Sequence, residues 1–280
     1  MMQHFQEAAK RKLAAGAKAM MAPVLDTWAR QELRLEPIAA TESEDVFLVG
    51  FPKSGITWLQ TLLAGLFYRI DLTGIHDTLV QDLIPDVEDR PYYRRYRDPM
   101  FFKSSHLPQP QYRRVIYLLR DGRDAVVSQW RHLEATQNAA PSLAQIITQP
   151  DPVFGLWHQH VDAWLTNPHQ ARMLVVKYED LLGGTPAQLQ RILQFVGEPR
   201  TAGEIALAVD RASFANMWAR ERRFGWDDPS WPQDHDFVRR GIAGSYRDEM
   251  PADMLELFMD VAGPTLRRAG YPVADLGFGI

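Results

Sequence analysis

The chain has 280 residues, of which 46% are hydrophobic and 24% are charged, and its 31 basic and 35 acidic residues give a formal net charge of -4. This composition excludes collagen-like, disordered and coiled-coil classes, and it provides no overall positive field for a nucleic acid or an anionic membrane. The chain has no cysteine, which excludes disulfides, thiolate catalysis and thiolate metal sites. A reducing compartment fits this composition, so we expect a cytoplasmic protein with no nucleic-acid or membrane partner.

The first 40 residues are predicted to form a helical arm, and residues 41–280 a single domain. The stretch 1–21 lacks the order of basic, apolar and cleavage regions that marks a signal peptide, and no run approaches the span of a bilayer. Its basic residues would also suit an organelle transit helix, although a docking or frayed terminal helix is favoured. They are Lys10, Arg11, Lys12 and Lys18.

A strand, a tight loop and a helix are predicted near residue 50. The apolar run 45–51 precedes the turn-like residues 52–55, and apolar residues then recur at helical spacing up to Ile70. The segment 50–57 has the glycine spacing of the phosphate-binding loop G-x-x-x-x-G-K-S/T, in the strand-to-helix context that this motif requires. Backbone N–H groups and the positive end of the helix dipole would converge there on an anion.

The lysine of this loop is displaced from its usual place. Ile56 stands where a nucleoside triphosphatase has its lysine, and Lys53 lies three residues earlier. A P-loop kinase needs a lysine near the second glycine together with an acidic Mg²⁺ ligand, so this rival interpretation is disfavoured. The loop is therefore expected to bind a phosphoanhydride other than a nucleoside triphosphate.

Two further strands complete the predicted pattern. The apolar run 113–120 breaks at Asp121-Gly122 before a helical stretch, and a third run covers residues 173–178. A capping box at Thr185, with Pro186 in the first helical position, predicts the helix that Gly197 ends. We predict a P-loop-like, three-layer α/β fold in which helices flank a central, mainly parallel sheet and ligands bind at the carboxyl ends of its strands.

Two stretches, 81–100 and 219–238, are predicted to be long surface loops on the acceptor side of the site. The arginines and tyrosines of residues 90–97 would suit an acidic substrate, but a solvated run paired with neighbouring acids is favoured. These acids are Asp86, Glu88, Asp89 and Asp98. Trp157 and Trp164, seven residues apart, are interpreted as core residues.

The loop after the first strand resembles the 5′-phosphosulfate loop of the cytosolic sulfotransferase family. The matching residues are Pro52, Lys53, Ser54, Gly55, Ile56, Thr57 and Trp58. The resemblance implies a sulfotransferase that uses 3′-phosphoadenosine 5′-phosphosulfate (PAPS) and releases adenosine 3′,5′-bisphosphate (PAP), without a metal. It assigns Lys53 a catalytic role beside the transferring group, assisted by the loop N–H groups. Ile56 replaces the family's usual threonine, which leaves the backbone N–H available.

Later segments resemble the same family in the same order along the chain. They are residues 117–120 with Ser128, residues 176–181, residues 212–214 and residues 237–244. The resemblance implies that Arg120, Ser128, Arg239, Arg240 and Gly241 bind the 3′-phosphate, for which fixed cations are the suitable partners. It places Tyr178, Ser213 and Phe214 at the adenine, and we assign base stacking to Trp58 and Phe214.

His106 is the predicted general base. It lies in a segment, 101–108, that resembles the family's K-T-H-L-P element, and a histidine suits proton removal at neutral pH. Lys103 lies three residues before His106 instead of two, which puts a catalytic role for it in doubt. His158 and His160 have metal-like spacing, but residues two apart on a helix face different ways, so no metal site is expected.

The acceptor is left open by the sequence. A hydroxyl or amine of a small molecule is expected, with a lean to aromatic or hydrophobic alcohols from the aromatic content of both loops. The family's C-terminal dimer motif is not apparent in residues 245–250, so the oligomeric state is open. A second rival, a non-catalytic scaffold that keeps this fold, is disfavoured by His106.

Overall fold

A computed structural model describes residues 33–137, 139–226, 231–232, 236–238 and 240–273. Most of the predicted arm lies outside these residues, and its described part contains a short strand. The strands are β1 (Glu36–Pro37), β2 (Val46–Val49), β3 (Tyr92–Tyr93), β4 (Phe101–Ser104), β5 (Arg114–Leu119) and β6 (Arg172–Lys177). The helices are α1 (Ile56–Tyr68), α2 (Thr78–Leu83), α3 (Gly122–Thr136), α4 (Leu143–Thr148), α5 (Trp157–Thr166), α6 (Tyr178–Gly183), α7 (Thr185–Val196), α8 (Ala202–Arg211), α9 (Phe214–Phe224), α10 (Tyr246–Glu249) and α11 (Ala252–Arg268).

The central sheet has four parallel strands in the order β4-β2-β5-β6, which confirms the predicted α/β class. Val49, the last residue of β2, lies opposite Ser104 on one side and Tyr117 on the other. The carboxyl ends of these strands therefore form one edge, and the loops that follow them come together there. Strands β1 and β3 form a separate antiparallel pair.

Helices cover both faces of the sheet because its strands alternate in the direction of their buried side chains. Val46 and Leu48 of β2 belong to one core cluster with residues of α1, α7 and α8. Phe47 and Val49 belong to a second cluster with residues of α3, α5 and α11. Trp157 and Trp164 are fully buried in this second cluster, as predicted.

The predicted capping box at Thr185 is wrong. Helix α7 begins at Thr185 itself, with Gly184 as its N-cap and no capping side chain. Helix α6 ends only at Gly183, so the Thr185 hydroxyl reaches back to donate to the carbonyl of Leu181 at 2.8 Å. The predicted end at Gly197 is confirmed by its left-handed backbone, with φ of 85°.

The stretch 81–100 is more ordered than a surface loop. Helix α2 reaches Leu83, strand β3 lies within the stretch, and Asp86 is buried beside Lys103 with 2.7 Å between carboxylate and ammonium. Arg95 makes two hydrogen bonds, of 2.9 and 2.8 Å, with the buried carboxylate of Asp45. Arg95 and Arg97 thus pair with acids distant in the chain instead of the predicted neighbours, and local charge patterns do not indicate such pairs. Arg90 pairs with Asp82 and Arg97 with Glu198.

The stretch 219–238 begins inside a helix instead of a loop, because α9 continues to Phe224. Beyond it, the N–H of Val238 donates to Glu221 Oε2 at 2.8 Å, and the N–H of Phe237 donates to the same carboxylate. Within the described part of the chain, no helix is both long enough and apolar enough to cross a membrane.

Candidate active site

One pocket at the carboxyl edge of the sheet collects most of the predicted donor-binding residues. Those that line it are Lys53, Gly55, Ile56, Thr57, Trp58, Arg120, Ser128, Tyr178, Phe214, Arg240 and Gly241. They come from the loop after β2, the end of β5, helix α3, the start of α6, the start of α9 and the loop before α10. Five sequence segments that are distant along the chain therefore meet at one place.

The loop after β2 has a backbone that only a constrained turn adopts. Lys53 and Gly55 both have left-handed φ values, of 65° and 91°. A Cβ atom at Gly55 would lie 2.6 Å from the Tyr178 ring, so glycine is required both for the conformation and for the close approach. Helix α1 starts directly afterwards without a side-chain cap, and its first residues line the pocket. Its positive dipole end therefore favours an anion there.

Lys53 is held within the site at both of its ends. Its ammonium lies 3.9 Å from the centroid of the Phe237 ring, within cation–π range. Its backbone carbonyl accepts a hydrogen bond of 2.9 Å from the guanidinium of Arg120.

Arg120 connects three segments of the site. Besides Lys53, its guanidinium donates to the carbonyl of Ile242 at 3.3 Å and lies 4.5 Å from the centroid of the Tyr178 ring. The side chain is largely buried, and its Nε has no hydrogen-bond partner among the described residues. Ser128 lies two turns along α3 and lines the same pocket. The arrangement places a buried guanidinium at the pocket, 3.8 Å from the buried carboxylate of Asp124.

Four aromatic side chains line the pocket: Trp58, Tyr178, Phe214 and Phe237. Trp58 and Tyr178 meet edge to face at 5.9 Å, and the indole N–H of Trp58 donates to the carbonyl of Ala212 at 2.9 Å. Phe214 is 46% exposed although it lines the pocket. A Cβ atom at Gly241 would lie 2.7 Å from the Phe214 ring, so this glycine allows the late loop to approach the ring.

Two predicted donor-binding side chains do not line the pocket. The Ser213 hydroxyl accepts a hydrogen bond of 3.4 Å from the N–H of Asn216 and so caps α9. The Ser54 hydroxyl is buried and has no hydrogen-bond partner in the described part of the chain. Arg239, predicted for the 3′-phosphate, lies outside the described residues.

The loop that carries Arg240 and Gly241 is held by Asp124, a residue that sequence reasoning missed. This fully buried carboxylate accepts hydrogen bonds from the N–H groups of Gly244 at 2.7 Å and Tyr246 at 2.8 Å. Arg240 itself pairs with Glu249 at 2.9 Å. An acidic residue in the first turn of a helix after a buried strand was the available signal.

Several pocket-lining residues were not assigned from the sequence. They are Leu182, Met217, Phe237, Val238, Ile242 and Ser245. Leu182 lies four residues after Tyr178 and Met217 three after Phe214, so helical spacing from the assigned residues indicates both. The other four lie in or beside the late segment that matched the family.

His106 follows β4, next to the loop of Lys53, but it does not line the donor pocket. The N–H of Gly50 reaches the carbonyl of Ser104 at 3.4 Å, which brings the two strand ends together. The His106 Nδ1 atom lies 2.9 Å from the hydroxyl of Tyr112. Burial lowers the pKa of the His106 imidazole, and the charge of Asp86 partly opposes this effect.

A second pocket adjoins the first and shares Lys53, Ser128 and Phe237 with it. The rings of His132 and Trp231 are stacked there with centroids 5.1 Å apart. The remaining lining residues are Arg131, Glu134, Ala135 and Asp236. The sequence motifs do not indicate His132, which lines this pocket together with Lys53.

Comparison with known proteins identifies relatives of this chain. It is 26% identical over 252 residues to the 3-beta-hydroxysteroid sulfotransferase of Cavia porcellus, covering 82% of this chain and 86% of that protein. Its fold is similar to that of retinol dehydratase in complex with androsterone and the inactive cofactor PAP, with a TM-score of 0.64, 18% identity and 81% of each chain covered. It is also similar to mouse sulfotransferase SULT7A1 complexed with PAP, with a TM-score of 0.58 and 20% identity over 81% of this chain and 86% of that one.

The match to a protein family covers the whole candidate site. Residues 43–270 match the family described as Sulfotransferase domain. This span includes the loop of Lys53, the end of β5 with Arg120, the start of α6 with Tyr178 and the late loop with Gly241. The match covers most of the chain, and the segments that line the pocket all lie within it. The chain therefore belongs to the sulfotransferase domain family.

Proposed function

We propose that this protein transfers a sulfuryl group from PAPS to a hydroxyl or amine group of a small molecule, with PAP as the second product. The observation that carries the proposal is the single pocket in which Lys53, Arg120, Arg240 and the rings of Trp58 and Phe214 meet. When bound, the donor supplies the activated sulfuryl group and a phosphate leaving group. It has anionic groups at two ends and a flat base, and the pocket offers cations, a helix N-terminus and aromatic rings.

The residues fit this donor in two further respects. Arg120 has a buried Nε without a partner among the described residues, and Ser128 and Arg240 line the same pocket, so polar groups are available for the 3′-phosphate. The N–H groups of Gly55, Ile56 and Thr57, at the start of α1, suit the 5′-phosphosulfate. Because the Ser54 hydroxyl is buried away from the pocket, only its backbone could contribute.

In the proposed reaction His106 accepts the proton of the acceptor hydroxyl while the acceptor attacks sulfur directly and in line. Burial lowers the pKa of His106, so the neutral imidazole, which is the form that can accept a proton, predominates at pH 7. Lys53 stabilises negative charge on the leaving phosphate oxygens. Phe237 and the hydrogen bond from Arg120 keep Lys53 in place for this task.

We propose that the acceptor is a hydrophobic or aromatic alcohol whose apolar body extends into the second pocket while its hydroxyl lies by Lys53, within reach of His106. Lys53 belongs to both pockets, so a molecule in the second pocket can bring a hydroxyl beside the group that stabilises the transfer. Trp231, His132 and Phe237 provide ring surfaces for its apolar body. The names of the relatives, a hydroxysteroid sulfotransferase and a retinol dehydratase that binds androsterone, support an acceptor of this class.

Donor recognition is tested by thermal unfolding of the whole protein with nucleotides. We expect PAP to raise the melting temperature without Mg²⁺, by the equivalent of about 2.7 kcal/mol at a free concentration 100 times its Kd. ADP lacks the 3′-phosphate that Arg120 and Arg240 would bind, so its effect should be much smaller. Tight, Mg²⁺-dependent binding of ATP instead would contradict the proposal and favour a kinase.

Transfer itself is tested with ³⁵S-labelled PAPS and a panel of steroid alcohols, phenols and amines. Label should appear on at least one alcohol and on none of the matching methyl ethers, which lack the attacking hydroxyl. The His106→Ala variant should lose transfer but keep the thermal shift with PAP. Normal turnover by that variant would show that His106 is not the base.

A further inference from the structure

The backbone around His106 is held rigidly by side chains from other elements. The N–H of Ser105 donates to the carboxylate of Glu88, and the carbonyl of Ser105 lies 3.1 Å from Nε2 of His160. The N–H of His106 donates to Ser104 Oγ at 3.0 Å, and its carbonyl accepts a hydrogen bond of 3.0 Å from the indole of Trp164. With the backbone fixed, the orientation of the imidazole ring depends on what binds its own nitrogen atoms.

Tyr112 makes the hydrogen bond that orients this ring. Its hydroxyl lies 2.9 Å from His106 Nδ1 and 3.0 Å from Ser104 Oγ. The Tyr112 side chain is 3% exposed, and its ring is stacked on Phe47 at 4.0 Å and on Trp164 at 6.3 Å. The hydroxyl oxygen is therefore a fixed point that the imidazole meets. No hydrogen bond from the described residues reaches Nε2, on the opposite edge of the ring.

We propose that Tyr112 is a positioning residue for His106, holding Nδ1–H on its hydroxyl oxygen so that Nε2 is directed to the acceptor. The proposal rests on the proposed function, in which His106 is the base. Backbone N–H groups can only donate, so Ser104 Oγ accepts from His106, and it can accept the Tyr112 hydrogen as well. In the opposite arrangement Tyr112 donates to Nδ1, Nε2 carries the hydrogen, and His106 cannot accept a proton there.

The same arrangement suits the protonated state that the reaction produces. As the acceptor oxygen bonds to sulfur, its proton passes to Nε2 and the electron pair of its O–H bond is retained on oxygen. The bond between sulfur and the phosphate oxygen breaks in the same step, and its electron pair leaves with PAP. Both ring nitrogens of His106 then carry hydrogen, and the oxygen of Tyr112 is the acceptor available to Nδ1–H. Tyr112 thus stabilises the imidazolium as well as orienting the neutral ring.

The decisive variant is Tyr112→Phe, which keeps the buried ring and removes only the hydroxyl. We expect kcat to fall about tenfold or more, because the imidazolium that forms in the reaction would lose its hydrogen-bond acceptor and leave Nδ1–H unpaired. KM for PAPS and the thermal shift with PAP should not change. ¹⁵N NMR of histidine-labelled protein should find the neutral His106 protonated at Nδ1 in the wild type and as a mixture of tautomers in the variant.

Tyr93→Phe is the matched control. Tyr93 is also 3% exposed, and its hydroxyl makes hydrogen bonds of 2.9 Å to Glu36 and to the carbonyl of Ala40, away from His106. This variant should lose stability to a similar degree while keeping kcat and the His106 spectrum. If Tyr112→Phe does not fold, the wild-type spectrum alone decides, because a hydrogen on Nε2 of neutral His106 overturns the proposal.

Different experimental outcomes separate the role of Tyr112 from that of His106. An unchanged kcat in Tyr112→Phe, together with an inactive His106→Ala, would overturn the role of Tyr112 and leave the base in place. Normal turnover by His106→Ala would instead remove the base assignment. A fall in kcat that is matched by Tyr93→Phe would reduce Tyr112 to a residue that only supports the fold.

Discussion

Lys53 is a lysine in a conformation that lysine seldom adopts. A non-glycine residue with φ of 65° is held there by its surroundings, and here the Arg120 guanidinium binds its carbonyl while Phe237 faces its ammonium. Ile56, in the position where a nucleoside triphosphatase has its lysine, is 5% exposed and packs in the core cluster beneath the loop. The position that carries the lysine in a nucleoside triphosphatase is therefore occupied here by a core side chain.

At the residue scale, we predict that Lys53→Met lowers kcat by about 100-fold while PAP still raises the melting temperature. Methionine has a similar length, so the variant removes charge without leaving a large cavity. Steady-state kinetics with labelled donor measures the effect. Lys177→Met is a suitable control, because Lys177 also lies over a ring, that of Tyr271 at 4.5 Å, but does not line the donor pocket. Equal losses in both variants would contradict the assignment of Lys53.

At the scale of elements, β5 and α3 together organise the donor site. Arg120 directly follows the strand, Asp124 lies in the first turn of the helix, and Ser128 follows one turn later. Arg120 and Asp124 both bind backbone groups of the loop between Gly241 and Tyr246. One strand–helix unit thus contributes polar groups to the pocket and also fixes the loop that closes it.

We expect Asp124→Asn to weaken PAP binding by about tenfold, a loss of about 1.4 kcal/mol. An amide offers one acceptor oxygen where the carboxylate now serves the N–H groups of Gly244 and Tyr246 with two. Isothermal titration with PAP measures the change. Asp253→Asn, in the first turn of α11, is the matched control and should leave the Kd unaltered. A Kd unchanged in Asp124→Asn would mean that the late loop holds its position without this carboxylate.

At the scale of the whole molecule, His160 connects α5 to the ends of β4 and β5. It is fully buried, with Nδ1 3.0 Å from the Tyr117 hydroxyl and Nε2 3.1 Å from the carbonyl of Ser105. Burial lowers the pKa of His160 from 6.5 to about 3. Between these pH values the unfolded chain binds a proton at this residue and the folded protein does not, so stability is full above about pH 6.5 and falls as the pH is lowered.

The corresponding prediction concerns His160→Gln. The variant should be less stable at pH 7 because it loses buried contacts, but its free energy of unfolding should fall less steeply between pH 6 and pH 4, by up to about 1.4 kcal/mol per pH unit. Urea unfolding at several pH values measures the difference. His169→Gln, at an exposed position, controls for loss of a histidine. Parallel curves for wild type and His160→Gln would contradict this account of His160.

Much of the fold could be predicted because its signals are local. The apolar runs became β2, β5 and β6, and the loop between Gly50 and Ile56 followed from its glycines. Thr185 was misplaced because the preceding helix α6 runs almost to it, which changes what its hydroxyl meets. The pairing of Arg95 with Asp45 could not be predicted, since these residues are 50 positions apart and have nearer candidates of opposite charge.

The sequence by itself determined the class of fold, the family and most of the residues that line the donor pocket, because these depend on apolar periodicity, glycine positions and short motifs. Only the tertiary structure decided which side chains support them. The hydrogen bonds of Asp124 and the pocket beside His132 join segments far apart in the chain, and the contact of Tyr112 with His106 depends on the turn that follows β4. The motif residues can thus be identified from the sequence, whereas the groups that orient them are identified only from the packing of strands and helices in the tertiary structure.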